Sequence, residues 1–516
     1  MNRPGLYSHF APFGTVHFGG EILADDSKRA LPSLNRSGVA PALHRQIYGT
    51  LREAVLEGRL PPGSRIPSSR TLAATLGVSR PTVVSALDQL AAEGFIETRV
   101  GSGTYVAKGL VQGGLRPADV TALGQDVLSL RAREVIGLPP LTAARDLGSK
   151  AFHTGFPALG QFPLREWAEV AASAWHSLSA ADLDYPDPMG YWPLREAIAE
   201  HLAIVRGVKA DPEQVMIVAG SQQALGLVAQ AVTDPGDEAW VEDPGYPGAR
   251  RAFVAAGLAV RPVPVDAEGI DLDYAQHFHS KARLVHVTPS HQYPLGVRMS
   301  VARRLALVAW AEKRGAWILE DDYDSEFRYA GRPLAPLYAM VDSGRVIHVG
   351  TFSKVLFAGI RLGYMVVPRG LVDAFRTLRG FHDRGSPVLS QAALAAFMRE
   401  GRYQRHIRHM RSLYAQRRDD LLRILAAETG HLLRVSPPDA GLHLVAHLPP
   451  GVSDLEVARV AKGLGVHTLA ISRMAELPQS EGALALGFAG VTSEEMTEGA
   501  RALRVALVQV AGEGRP

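Results

Sequence analysis

The chain has 516 residues, 47% hydrophobic and 21% charged, with a formal net charge of +3. That is enough for two or three folded domains, and the composition excludes a disordered, fibrous or collagen-like chain. The slight basic excess permits a nucleic-acid partner without demanding one, and the absence of cysteine excludes disulfides and thiolate metal sites and fits a reducing, cytoplasmic setting.

Residues 1–40 are polar, rich in glycine and proline and without periodicity, which predicts a loosely ordered, flexible arm; its opening, MNRPGLYSHFAPFG, lacks the apolar stretch of a secretory signal. No apolar run approaches the length of about eighteen residues that a membrane span needs. In ALHRQIYGTLREAVLEG (42–58), Leu43, Ile47, Leu51, Val55 and Leu56 recur at helical spacing, and Gly58 ends the run. SSRTLAATLGV and SRPTVVSALDQLAAEG predict two short helices, with Ser69 and Ser79 as N-caps and Gly77 and Gly94 at the ends. FIETRVGSGTYVA (95–107) alternates about Gly101-Ser102-Gly103, a hairpin pattern. Three helices and a hairpin over 41–107 predict a winged helix-turn-helix.

In such a module the second helix of the turn enters the major groove by its N-terminal residues. Ser79, Arg80, Thr82 and Val83 are therefore expected at base edges or phosphates, Arg80 being placed for bidentate guanine reading. Ser68, Ser69 and Arg70 open the preceding helix and, with Arg65, are expected on phosphates; the wing tip around Gly103 is expected in the minor groove. Seven arginines against five acids over 41–107 give a weak basic surplus. The other use of a winged helix is to bind protein.

Residues 108–147 have only weak periodicity and predict a linker. From 148 to 516 short β-branched runs (QVMIVAG, DEAWVED, LVHVT, AWILED, RVIHVG, RLGYMVV) alternate with helical segments, which predicts an α/β fold with a mainly parallel sheet covered on both faces. Sites in such sheets gather at the carboxyl ends of the strands. A basic stretch at 399–420 carries apolar residues at helical spacing and is expected to be a solvated helix face rather than a DNA contact.

The predicted strand ends carry chemistry. VAGSQQAL opens a helix, so Gly220, Ser221 and Gln222 offer backbone N–H groups to an anion. VEDPGYPGAR places Tyr246 where a ring can stack on a planar ligand. ILEDDYDSEF drives acids out of an apolar strand, a costly arrangement unless a cation meets them. GTFSKVLFAGIRLGY then brings Thr351, Ser353, Lys354 and Arg361. Lysine, acid, hydroxyls, arginine and helix N-terminus together match the needs of pyridoxal 5'-phosphate: a lysine for the Schiff base, an aspartate for the pyridine nitrogen, arginine and hydroxyls for the phosphate.

With these motifs, residues 148–516 resemble fold-type I aminotransferases, and IPSSRTLAATLGVSRPTV with GSGTYVA resembles the GntR-type winged helix. Their fusion resembles the MocR/GabR-type transcription regulators. The resemblance implies Lys354 as the Schiff-base lysine, Asp321 as the pyridine partner, Tyr323 beside the ring 3'-oxygen, Thr351 and Arg361 on the phosphate, and Tyr246 stacking on the ring. Two departures stand out. Tyr293 occupies the place of an asparagine that contacts the ring oxygen, and Ala485 that of an arginine that clamps the substrate carboxylate, with Arg473 or Arg250 as substitutes. The implied protein is a cytoplasmic, domain-swapped homodimer that binds operator DNA and senses a small amine or amino acid through an aldimine on Lys354, with at most weak transaminase activity. The alternatives are an active aminotransferase with a DNA-binding domain, or a regulator of vitamin B6 supply whose ligand is the cofactor itself.

Overall fold

The computed structural model describes residues 34–35, 41–99, 101–109, 128–138, 151–329, 331, 334–340 and 344–513. The arm expected over 1–40 lies outside them except for 34–35, and the linker expected over 108–147 except for 108–109 and 128–138. The chain divides into two compact units, Met1–Val127 and Leu128–Pro516.

In the first unit, α1 (Leu43–Leu56), β1 (Arg65–Ile66), α2 (Ser69–Leu76) and α3 (Arg80–Ala92) precede a hairpin of β2 (Ile96–Arg99) and β3 (Gly103–Val106). β3 pairs antiparallel with both β1 and β2. Ile47, Leu51, Ala54 and Val55 of α1 and Val83, Ala86 and Leu90 of α3 lie three or four residues apart, so each helix has one apolar stripe. The stripes close a core with Ile66, Leu72, Ile96 and Val106. Burying each large aliphatic side chain contributes about 1.5–3 kcal/mol.

Two expectations change here. The N-cap of α2 is Ser68, whose hydroxyl accepts from the Thr71 N–H at 3.2 Å, and Ser69 is the first helical residue. Val83, expected at base edges or phosphates, is 0% exposed. It shares the inward stripe with Ala86 and Leu90, so it holds α3 to the core and cannot face a groove.

In the second unit, α4 (Leu130–Gly137) lies within the segment expected to be a linker, and Arg251 Nη2 donates to the Leu138 carbonyl at 2.6 Å. The main sheet has eight strands: β4 (Val215–Val218), β5 (Glu238–Asp243), β6 (Ala259–Asp266), β7 (Gly269–Ile270), β8 (Ala282–Val287), β9 (Trp317–Asp322), β10 (Val346–Thr351) and β11 (Gly363–Val366). Their order is β4-β11-β10-β9-β8-β5-β6-β7, and only β7 and β11 oppose the rest. Both faces are buried: Val215 and Ile217 of β4 enter one core cluster and Met216 and Val218 another. That explains the near-continuous apolar strands.

Helices α5 (Leu164–Ser177) and α6 (Trp192–Arg206) precede β4, and α7 (Ser221–Val232) springs directly from its end. A second, antiparallel sheet orders β12 (Arg434–Val435), β13 (His443–His447), β15 (Ala483–Gly487) and β14 (Leu469–Ala470) side by side. The basic stretch at 399–420 starts at the end of the helix Val388–Arg399 and runs, from Arg402 onward, in the helix Arg402–Thr429. It is not simply a solvated face: Arg411 donates to the Glu326 carbonyl, Arg417 to that of Ala489 and Arg418 to that of Pro438. These arginines tie the helix to the rest of the unit.

Candidate functional site

The carboxyl ends of β4, β5, β8, β9 and β10 meet on one edge of the main sheet, and the chemistry is concentrated there. Three consecutive acids end β9, and strand alternation sends them to different faces. Glu320 is paired with His348 at 3.0 Å and accepts the N–H groups of Leu337 and Tyr338. Asp322 is paired with Arg206 at 2.7 Å and accepts from Ser325 at 2.8 Å. Asp321 is different. It is 5% exposed, its Oδ2 lies 3.5 Å from His286 Nε2, and its Oδ1 is buried with no partner. A buried carboxylate oxygen left unpaired is costly unless a donor arrives from outside the chain.

Lys354 faces the same space. Its Nζ donates to the Gly155 carbonyl at 2.9 Å. Gly155 sits at φ +76, a left-handed conformation that favours glycine, and a Cβ there would lie 2.9 Å from Nζ, so the tip of the lysine would have to shift. Burial lowers the lysine's pKa, and the nearby carboxylates of Asp324 and Asp321 oppose that shift.

Beyond Lys354 lies an anion-shaped corner. α7 starts at Gly220, which has no side-chain cap and stands at φ +128. A Cβ on Gly220 would lie 3.8 Å from Arg361 Nη1 and Nη2, so the guanidinium borders the open helix N-terminus, where the first N–H groups favour negative charge. Arg361 itself is in the left-handed region at φ +51. Thr351, at the end of β10, is buried, and its hydroxyl accepts from the Ser353 N–H at 3.2 Å. Ser221 and Gln222 occupy the first turn of α7. Gln222 Nε2 donates to the Tyr246 hydroxyl at 3.2 Å, and burial, reinforced by the Asp321 charge, pushes that hydroxyl up to about 12.

The opposite side is aromatic. The Tyr293 ring stands nearly perpendicular to those of Tyr246 and Tyr323, at 6.0 and 5.8 Å. Burial raises the hydroxyl pKa of both Tyr293 and Tyr323, and Asp324 adds to the shift at Tyr323. His291 Nδ1 lies 3.0 Å from both the Tyr323 hydroxyl and Asp324 Oδ2. His443 Nε2 donates to the Pro294 carbonyl at 2.8 Å, and burial lowers its pKa to about 4, so it is neutral. Ala485 is 0% exposed, packed with Ile471, Val445, Leu469 and Leu295. Neither expected substitute reaches it: Arg250 is paired with Glu476, and Arg473 is exposed on a 3-10 turn whose Ile471 and Met474 face the cluster.

The structure thus gathers Tyr246, Ser221, Gln222, Tyr293, Asp321, Tyr323, Thr351, Ser353, Lys354 and Arg361 at one sheet edge. The donors suit a planar heterocycle with a ring N–H toward Asp321 Oδ1, an anionic group at Gly220 and Arg361, and an electrophilic carbon near Lys354.

In the first unit the expected residues are arranged along α2, α3 and the wing. Ser79 caps α3, accepting from the Thr82 N–H at 3.4 Å, and Arg80 Nε donates to Ser69 Oγ at 3.3 Å. Arg65, Ser68, Arg70, Ser79 and Arg80 are exposed, and Thr82 is half-buried. The Arg65 guanidinium lies beside Gly103, 3.1 Å from where a Cβ would stand. Arg99 covers the Tyr105 ring at 4.9 Å, a second cation on the wing that the sequence reading passed over.

The aminotransferase class I and II family matches residues 152–503, and the gntR family of bacterial regulatory proteins matches residues 43–106. The probable rhizopine catabolism regulatory protein MocR of Rhizobium meliloti is 39% identical over 93% of this chain and 97% of its own. The HTH-type pyridoxine biosynthesis transcriptional regulator PdxR of Corynebacterium glutamicum is 36% identical over 82% of this chain and 87% of its own. Among solved structures, the α-aminoadipate aminotransferase LysN of Thermus thermophilus, complexed with N-(5'-phosphopyridoxyl)-L-leucine, is 28% identical with a TM-score of 0.65, covering 75% of this chain and 96% of that one. The chain belongs to the MocR/GabR-type transcription regulators. Its second unit has the fold-type I aminotransferase fold and its first is a winged helix.

In this regulator several site residues escaped the sequence reading. Asp324 and His291 lie within EDDYDSEF and PSHQYPLG, so those motifs could have flagged them. Gly155, His286 and His443 had no local signal, since each matters only through a partner brought from far along the chain.

Proposed function

We propose that this regulator binds pyridoxal 5'-phosphate at Lys354, reads operator DNA through α3 and the wing, and changes its DNA occupancy when a small amine or amino acid enters the cofactor site. The cofactor supplies, when bound, an electron-withdrawing ring and a carbon reactive toward amines. Asp321 is the residue for the pyridine nitrogen, Tyr246 for stacking on the ring, and Tyr323 and Tyr293 for the ring-oxygen side. Arg361, Thr351, Ser353 and the first N–H groups of α7 at Ser221 and Gln222 are the phosphate set. Lys354 keeps its amine beside Gly155, and its lowered pKa enlarges the neutral, nucleophilic fraction. The observation that carries the reading is the buried, partnerless Oδ1 of Asp321, an acceptor that would suit a protonated ring nitrogen.

On the DNA side, Arg80 is proposed to read a base edge, and Arg65, Ser68, Ser69, Arg70, Ser79 and Thr82 to hold phosphates, with Gly103 letting the wing approach the duplex. A homodimer suits paired half-sites. It would also cover apolar side chains of the large unit such as Phe381 and Tyr185, 86% and 75% exposed. One observation favours a second reading, regulation by the cofactor itself: the apolar packing around Ala485 offers no cation for an amino-acid carboxylate.

The deciding experiment is borohydride reduction of the purified protein followed by peptide mass spectrometry. Cofactor mass should be fixed on the peptide containing Lys354 and absent from Lys354→Ala. Cofactor fixed on another residue overturns the assignment. Operator binding that responds to the cofactor alone, with no response to any amine, selects the second reading.

A further inference from the structure

The side of the pocket farthest from the phosphate corner is built by the small sheet, and its chemistry narrows the ligand. Residues two apart on a strand share a face. On β15, Ala483, Ala485 and Gly487 lie on one side while Leu484 and Leu486 enter the main core. A Cβ on Gly487 would strike the His153 carbonyl and approach Thr154, and the next residue, Gly155, accepts from Lys354 Nζ. That side of β15 is therefore turned toward the segment that holds Lys354. Register places His443 opposite Gly487, and Val445 and Leu469 opposite Ala485, on the same side.

The wall so formed contains Val445, Leu469, Ala485 and Leu295, with His443 at its inner end. Among the described residues the ionisable groups nearest it are His443, held neutral by burial, the Tyr293 and Tyr323 phenols, and the pair formed by His291 Nδ1 and Asp324 Oδ2 at 3.0 Å. Arg250 is taken by Glu476, and Arg473 points to solvent. A carboxylate on the nitrogen-bearing carbon would lie against the aliphatic side chains of this wall, stripped of water, and the Asp324 carboxylate already has His291 as its partner.

We infer that the pocket over Lys354 selects primary amines that carry no carboxylate on the nitrogen-bearing carbon. The inference rests on the reading that Lys354 is the cofactor's lysine, and it names the class of effector that reading left open.

The test uses the full-length protein with its cofactor and two matched pairs, ethanolamine with serine and isobutylamine with valine. Binding is followed by the visible absorption of the cofactor and by calorimetry. Each amine should bind at least about tenfold more tightly than its carboxylated partner, since a charged group left without a partner forfeits more than a kilocalorie or so. Equal or tighter binding of either amino acid overturns the inference. If neither member of either pair binds while borohydride still fixes cofactor on Lys354, the inference falls and the cofactor assignment stands; if no cofactor is fixed, both fall. Ala485→Arg, and Val445→Lys at a half-buried position of the same face, put a cation on the wall. A rise in serine affinity of about tenfold in either supports the inference. Two folded variants with an unchanged serine-to-ethanolamine ratio overturn it.

Discussion

In the aminotransferase-like unit the groups offered to a ligand are buried before any ligand arrives: Asp321 is 5% exposed and Thr351 7%, and Lys354 Nζ is already held by the Gly155 carbonyl at 2.9 Å. In the winged helix Arg65, Arg70 and Arg80 stand on the surface, and order is imposed through helix caps at Ser68 and Ser79. The contrast follows from what each unit has to bind. A small ligand must be taken out of water, so its charges have to be met inside, and the scaffold carries unpaired groups such as Asp321 Oδ1 in advance. A nucleic-acid backbone is met at the surface, where released counterions drive binding and long flexible cations suffice.

The largest effect is expected where the two regimes meet in one helix. α3 exposes Arg80 and buries Val83 three residues later. Val83→Asp places a carboxylate in the core of a small unit and should cost more than about 4 kcal/mol, enough to unfold it. Operator binding should vanish while cofactor absorption persists, and a heating scan should lose only the small unit's transition. Retained operator binding would mean that Val83 is not a core residue and that the surface regime extends further round α3.

Smaller, and confined to the surface, are the arginine replacements. Arg80→Ala should cost about 1–3 kcal/mol for the operator and relax specificity at one position if it reads a base edge. Arg65→Ala should weaken all sequences alike and lower the magnitude of the salt slope by about 1. Neither should alter the melting of the unit. Competition titrations at two salt concentrations separate these outcomes, and unchanged operator affinity in both variants would point to a protein partner instead.

Much of this was legible in the chain. The acids ending β9, the lysine and arginine after β10 and the capped helices announce themselves because each depends on neighbours in sequence. Val83 was misread because the position rule for a recognition helix was applied without its periodicity: 83, 86 and 90 form the inward stripe. The arginines at 411, 417 and 418 looked solvated because their acceptors are carbonyls of residues 326, 489 and 438, invisible to any local pattern. The wall of β13, β14 and β15 was illegible for the same reason. Only pairing shows that Ala485 lies against Val445 and Leu469.

The finest test deletes one hydroxyl from each unit. Ser79→Ala removes the acceptor of the Thr82 N–H and should cost about 1 kcal/mol, lowering the small unit's melting point by about 4–8 °C and leaving the cofactor untouched. Tyr246→Phe also removes a single oxygen, the one accepting from Gln222 Nε2, but leaves the ring and its apolar surface in place. The amide of Gln222 then loses its partner within the pocket, and cofactor affinity should fall about fivefold, equivalent to about 1 kcal/mol. Because burial pushes the Tyr246 hydroxyl up to about 12, it stays protonated from about pH 5 to about pH 9, and the loss should be constant across that range. Cofactor release followed by absorbance at several pH values measures it. A loss that grows toward the alkaline end would show the hydroxyl titrating and the pocket wetter than its burial implies. Equal free energies would thus read out as melting in one unit and as ligand affinity in the other, as the contrast between exposed and buried sites requires.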